Sequence, residues 1–186
     1  MRKISTQKLV VTAMFFAIGL VLPFVTGQVP QIGRMLLPMH LPVFLCSLIV
    51  GWPYGLAIGF LLPLVRSPLF GMPVFFPTAV EMAFELAAYG FFAGFIYQRL
   101  LDAKVNKTVS LLAALIASMV LGRIVFLIVR IVIFKLSGSA FDFNVFLADA
   151  VLNAIPGIIM QIVLIPTLML SMERNRINTE PTNKNL

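Results

Sequence analysis

Seven polar or charged side chains interrupt the apolar stretches of this sequence at helical spacings: Glu81 and Glu85, Arg123 and Arg130, and Asp149, Asn153 and Gln161. Glu81 and Glu85 are one turn apart, Arg123 and Arg130 two turns, and Asp149 and Asn153 one turn, so each pair projects from a single face of its helix. A charge at the centre of a bilayer costs about 2.5 kcal/mol or more, so such groups face a protein interior or a cavity and have partners there. Two uses fit. They can recognise a polar ligand, or three cations (Arg66, Arg123, Arg130) can satisfy three anions (Glu81, Glu85, Asp149) as internal salt bridges. A carboxylate pair at i, i+4 can also do acid–base or proteolytic work, but no nucleophile, second histidine or metal-ligand set accompanies it. No catalytic residue and no metal site is assigned, and the reading is not an enzyme.

Composition says what must position these groups. Of 186 residues, 60% are hydrophobic and 11% charged, and the mean hydropathy is +1.03. A soluble domain runs about 45–50% apolar and about 25% charged, so too few charges remain for a water-facing surface. The expected fold class is an all-α integral membrane protein. Apolar runs delimited by charges, Gly and Pro give six spans, at about 9–26, 36–51, 54–66, 77–97, 108–135 and 146–171. At about 20 residues each they consume roughly 120 residues and leave no room for a soluble catalytic or nucleotide-binding domain. The first follows Met1-Arg2-Lys3 without a small-x-small cleavage site and is expected to be a retained span rather than a signal peptide. The tail, 173–186, is polar without apolar periodicity, which predicts disorder.

Met35 to Val65 would be about 46 Å long as one helix, more than a hydrocarbon core of about 30 Å requires. Gly51-Trp52-Pro53 in its middle breaks it, because proline removes a donor and disfavours helix in the residue before it. Charge counting supports the break. With six spans and cytoplasmic termini, the inside holds nine cations (Arg2, Lys3, Lys8, Arg99, Lys104, Lys107, Arg174, Arg176, Lys184) against three outside (Arg34, Arg66, Lys135). Fusing the two short spans would place six of the nine on the wrong face. In this topology Glu85 and Asn153 lie about 10–12 Å below the outer surface, and Arg123 rises from the inner side to a similar depth. The outer connections 27–34, 67–76 and 136–145 are long enough to cover a site there. Trp52 and Tyr54 at the inner hinge suit interfacial anchoring.

Other classes fall away. One cysteine, Cys46, and one histidine, His40, exclude a disulfide framework and a multi-histidine metal centre. Neither a phosphate-binding G-x-x-x-x-G-K-[ST] loop nor a dinucleotide G-x-G-x-x-G occurs, so uphill transport would need energy from another protein. The net charge of +7 forms no basic stripe with stacking aromatics, which argues against nucleic acid. Small residues repeat at four in Ala13/Ala17, Gly51/Gly55/Gly59, Gly90/Gly94 and Ala113/Ala117, a spacing that lets helices approach closely.

Taken with the six short spans, the stretches Ala13-Met14-Phe15-Phe16-Ala17, RMLLPMHLPVFLCSLIVGWPYGLAIGFLLPLVRSPLFGMP (34–73), FPTAVEMAFELAAYG (76–90) and NAIPGIIMQIVLIP (153–166) resemble the substrate-binding S component of energy-coupling factor (ECF) vitamin transporters. The resemblance covers about 4 to 171 and is greatest to the pantothenate branch. It implies a multi-pass protein of a prokaryotic plasma membrane that binds a vitamin in its outer half, uses no cofactor of its own, and docks through the alanine face of its first span, here Ala13 and Ala17, on a T subunit driven by two ATP-binding-cassette ATPases. The candidate substrate-binding residues are Arg123, Glu85, Asn153, His40, Arg66 and Tyr89, with Arg123 as counter-ion for a pantothenate carboxylate. Riboflavin, a pyridoxine-like vitamin or a hydroxymethylpyrimidine are alternative cargoes. A cell-shape protein of the MreD type, with its charges serving only packing, and an autonomous proton-coupled carrier using Glu85 and Asp149 are alternative functions.

Overall fold

The structure, a computed structural model, describes residues 5–26, 37–138 and 154–179. Six α-helices account for most of these: α1 (Thr6–Val21), α2 (His40–Ile49), α3 (Trp52–Phe70), α4 (Val80–Asp102), α5 (Lys107–Leu136) and α6 (Ile155–Thr179). A 3-10 turn, Leu22–Thr26, prolongs α1, and a π-helical segment, Phe75–Ala79, leads into α4. The described residues contain no strand.

Local chemistry explains most boundaries. Gly51 turns the chain at φ 127°, and Pro53 lies in the first turn of α3, where its missing N–H leaves no orphan. Left-handed Gly71 (φ 72°) ends α3, its N–H donating to the Ser67 carbonyl at 2.8 Å. The Asn106 side chain caps α5 by accepting from the Thr108 N–H at 3.0 Å.

Five helices are long and apolar enough to cross a membrane. The second expected span is shorter than its apolar run suggested: residues 37–39 form a turn with Leu37 at φ 49°, and the ten residues of α2 rise only about 15 Å. The third runs past Arg66 to Phe70, so the connection expected at 67–76 shrinks to 71–74. The sixth continues to Thr179, so the first residues of the expected disordered tail are helical. The connections at 27–34 and, beyond Gly138, 139–145 lie outside the described residues.

Helix α4 is the hub, packed on α2, α3 and α5, while α1 lies on α2 and α3, and α6 on α5 and α2. The α3–α4 contact is backbone on backbone. A Cβ on Gly59 would fall on the Leu86–Ala87 peptide, and one on Gly90 would fall on the Gly55–Leu56 peptide. The Ser47 hydroxyl of α2 donates to the Gly90 carbonyl at the same crossing. On α5 the packed small residues are Ser110, Ala114, Ser118 and Gly122, all buried, whereas Ala113 is exposed and Ala117 only half-buried. Serine serves as a small residue there, each hydroxyl donating to a carbonyl of its own chain.

Replacing Gly90 with leucine forces the α3 and α4 backbones apart and is expected to cost at least about 1–3 kcal/mol, whereas Ala113→Leu stays within about 0.5 kcal/mol. Thermal unfolding of the two purified variants in detergent checks both.

Candidate functional site

The α3–α4 register fixes the height of every polar group on α4. Glu81, Glu85 and Tyr89 recur every turn on its buried face, and α5 packs on the same helix. Gly122 of α5 lies against the Tyr89 ring, in space a Cβ would fill. The next residue, Arg123, reaches Glu85, with Nη1 2.7 Å from Oε1, and the Tyr89 hydroxyl donates to the same oxygen at 2.9 Å. The side chains of Arg123 and Glu85 are 19% and 4% exposed, so this is a largely desolvated, charge-assisted pair. Two turns further along α5, the half-buried Arg130 lies against the rings of Phe126 and Phe134, 5.6 and 5.7 Å from their centroids.

Helix α2 enters from the side. His40, its first residue, holds its ring 5.2 Å from that of Tyr89, and the Phe44 ring lies tilted at 37° with its centroid 5.3 Å from the same ring. The turn presenting His40 is tied on two sides: the Leu37 carbonyl accepts the His40 N–H at 3.0 Å and the Gln161 side-chain amide of α6 at 3.5 Å. His40 also lies within electrostatic reach of Arg123.

Arg66 stands apart. It sits near the end of α3 against two perpendicular rings, 5.0 Å from Phe24 and 5.2 Å from Phe70.

Several of these groups retain unmet hydrogen-bonding capacity. His40 Nδ1 and Nε2, Arg66 Nη1, Glu81 Oε1 and Arg123 Nη2 are buried and make no hydrogen bond of good geometry. Buried polar atoms are satisfied in the great majority of cases, so the exceptions at His40 and Arg123, which meet around Tyr89, suit that place to holding a polar ligand.

Of the six substrate-binding candidates, the structure gathers Arg123, Glu85, Tyr89 and His40 into one cluster and places Arg66 elsewhere. Asn153, and Asp149 with it, lie outside the described residues. Gln161, a polar residue of the last span but not among the six, is 1% exposed and braces the turn that carries His40. Its signal in the sequence was a lone amide in the apolar run 154–172. Ala13 and Ala17 lie on the exposed face of α1 with Leu9, Val10, Met14 and Ile18, opposite the buried Thr12, Phe15 and Gly19.

Removing one member of the buried pair strands the other. Glu85→Gln is expected to cost about 3–5 kcal/mol, and the added change Arg123→Gln should restore part of the loss. A double-mutant cycle on unfolding in detergent measures the coupling, and additive effects would show that the pair is not held together in the folded protein.

A family model described as ECF transporter, substrate-specific component, matches residues 7–169. No curated protein and no solved structure matches. The chain belongs to the family of ECF transporter substrate-specific components, membrane subunits that bind the substrate and work with a T subunit and ATPases. The family is a transporter component and not a known enzyme family.

Proposed function

We propose that this substrate-specific component captures a small vitamin from the outer face of a prokaryotic plasma membrane, with pantothenate the first candidate. The observation that carries the reading is the set of unmet buried polar atoms, His40 Nδ1 and Nε2, of which the neutral ring makes one a donor and the other an acceptor, and Arg123 Nη2, beside the Arg123–Glu85–Tyr89 cluster. Because Glu85 neutralises Arg123, the arginine offers the ligand a charge-assisted hydrogen bond from Nη2 rather than a free positive charge. Hydroxyl and amide oxygens, both present in pantothenate, suit such donors. Riboflavin, a pyridoxine-like vitamin and a hydroxymethylpyrimidine offer acceptors too and remain in the test set. Asn153 completes the proposed site from the sixth span.

The topology proposed for this function has six crossings and cytoplasmic termini, with α2 as the short second segment. The excess of cations at the two termini and in the 98–107 loop supports it. Helix α1 offers Ala13 and Ala17 to the T subunit. The supporting observation is their exposure on an apolar face that packs on nothing else among the described residues, and small side chains there allow a second helix to approach closely. Family membership favours this assembly over the cell-shape and autonomous-carrier readings.

The direct test is a thermal-shift and mass-spectrometric screen of the purified protein against B vitamins and their precursors. A ligand at 100 times its Kd stabilises by about 2.7 kcal/mol, and Arg123→Ala should reduce the affinity for the hit about tenfold or more. Silence across the panel, or unchanged binding to Arg123→Ala, contradicts the site. For docking, Ala13→Phe or Ala17→Phe is expected to abolish transport by the assembled complex while leaving ligand affinity unchanged. Full transport by these variants would move the contact elsewhere.

A further inference from the structure

Arg66 is a buried cation with no anion beside it among the described residues. The residue is 2% exposed and Nη1 has no hydrogen-bond partner, and among the described residues no carboxylate pairs with it. Glu81 is the acid of α4 nearest in height, yet its buried Oε1 makes no hydrogen bond to Arg66 or to any other group. The rings of Phe24 and Phe70 meet at 89° with centroids 5.0 Å apart, and the guanidinium lies against both. Aromatic faces attract a cation but accept none of its five in-plane N–H groups, whose fork geometry matches a carboxylate or a phosphate. A buried, uncompensated cation is costly, and an anion at that N–H edge removes the cost.

We propose that Arg66 is the anion-recognising position of this protein and that its cargo carries a carboxylate or phosphate that docks there. The proposal rests on the capture reading above and assigns the charge of the cargo to a residue other than Arg123. Register supplies the spacing. Gly59 lies against Leu86 and Gly55 against Gly90, so Arg66 is level with Ala79, six residues from Glu85, or about 9 Å along the helices. A cargo engaging both positions is therefore an extended anion with its neutral polar groups about 9 Å from its acid. The phosphate of a lipid headgroup has the same chemistry, and the test separates the two sources.

The probes are sodium acetate and inorganic phosphate, compared with chloride at equal ionic strength, on delipidated protein in detergent. Wild type should show a saturable rise in Tm of about 3–6 °C at ten times the apparent Kd. Arg66→Gln should lack the saturable component, retaining only the general salting effect, and Arg66→Lys, which keeps the charge but not the fork, should show a weaker rise. An equal rise in wild type and Arg66→Gln overturns the proposal, as does a wild type that does not respond. A rise produced only by phosphatidylglycerol in nanodiscs, and by neither soluble anion, overturns the cargo assignment in favour of lipid. For a cargo found in the vitamin screen, Arg66→Gln should weaken affinity at least about tenfold. Unchanged affinity refutes the anion position and leaves the capture reading intact. An Arg66-dependent anion response in a protein that binds no vitamin does the reverse.

Discussion

Helices α3 and α4 touch backbone to backbone at Gly55, Gly59 and Gly90, and that approach sets the register in which each buried charge stands. With no side chains between them, the helices cannot slide by a residue without driving a Cβ into a peptide. Ser47 locks α2 into the same crossing through its bond to the Gly90 carbonyl. Lipid tails are as apolar as leucine, so close packing and interhelical hydrogen bonds have to supply the association that water exclusion supplies elsewhere. The rest of the bundle builds on this three-helix unit, α5 packing against α4 and α1 closing over α2 and α3.

The consequence for the site is a division of labour. One face of α4 is spent on glycine and serine contacts with α3 and α2, while Glu85 and Tyr89, at the same height, turn to the Arg123 pair and to His40. Glu85 Oε1 takes both the Arg123 guanidinium and the Tyr89 hydroxyl, so the carboxylate serves as the organiser rather than as a free anion. The donors left over belong to residues whose positions are fixed from several directions: Arg123 by Glu85, and His40 by the Leu37 turn that Gln161 braces. Donors pre-positioned in this way lose little freedom when a ligand arrives.

Much of this was legible in the sequence and some was not, for physical reasons. The i, i+4 spacing of Glu81 and Glu85 and the charges on the fifth span identified the polar faces, because facing direction is a local property of a helix. That Arg123 meets Glu85 rather than Glu81 is a matter of register between helices, and the register comes from the glycine crossing and from Gly122 making room for the Tyr89 ring. The start of α2 was hidden for a related reason: residues 35–39 are as apolar as the helix that follows, and the turn at Leu37 leaves no polar mark. The alanine pair Ala113/Ala117 missed the stripe on which α5 packs, because two of its members, Ser110 and Ser118, are small residues other than Ala or Gly. Arg66 looked like the end of a span, whereas the two rings that receive it allow α3 to run on to Phe70.

The central claim is that this substrate-specific component binds the cargo, while accumulation depends on the T subunit and ATPases with which its family works. The most direct measurement is uptake of the radiolabelled vitamin found in the screen into proteoliposomes, with the chain alone and with the chain plus its T subunit, both ATPases and internal or external ATP as orientation requires. The account predicts stoichiometric binding and no accumulation by the chain alone, and ATP-dependent accumulation in the full assembly. Sustained uptake by the chain alone, driven by a proton gradient, would contradict it.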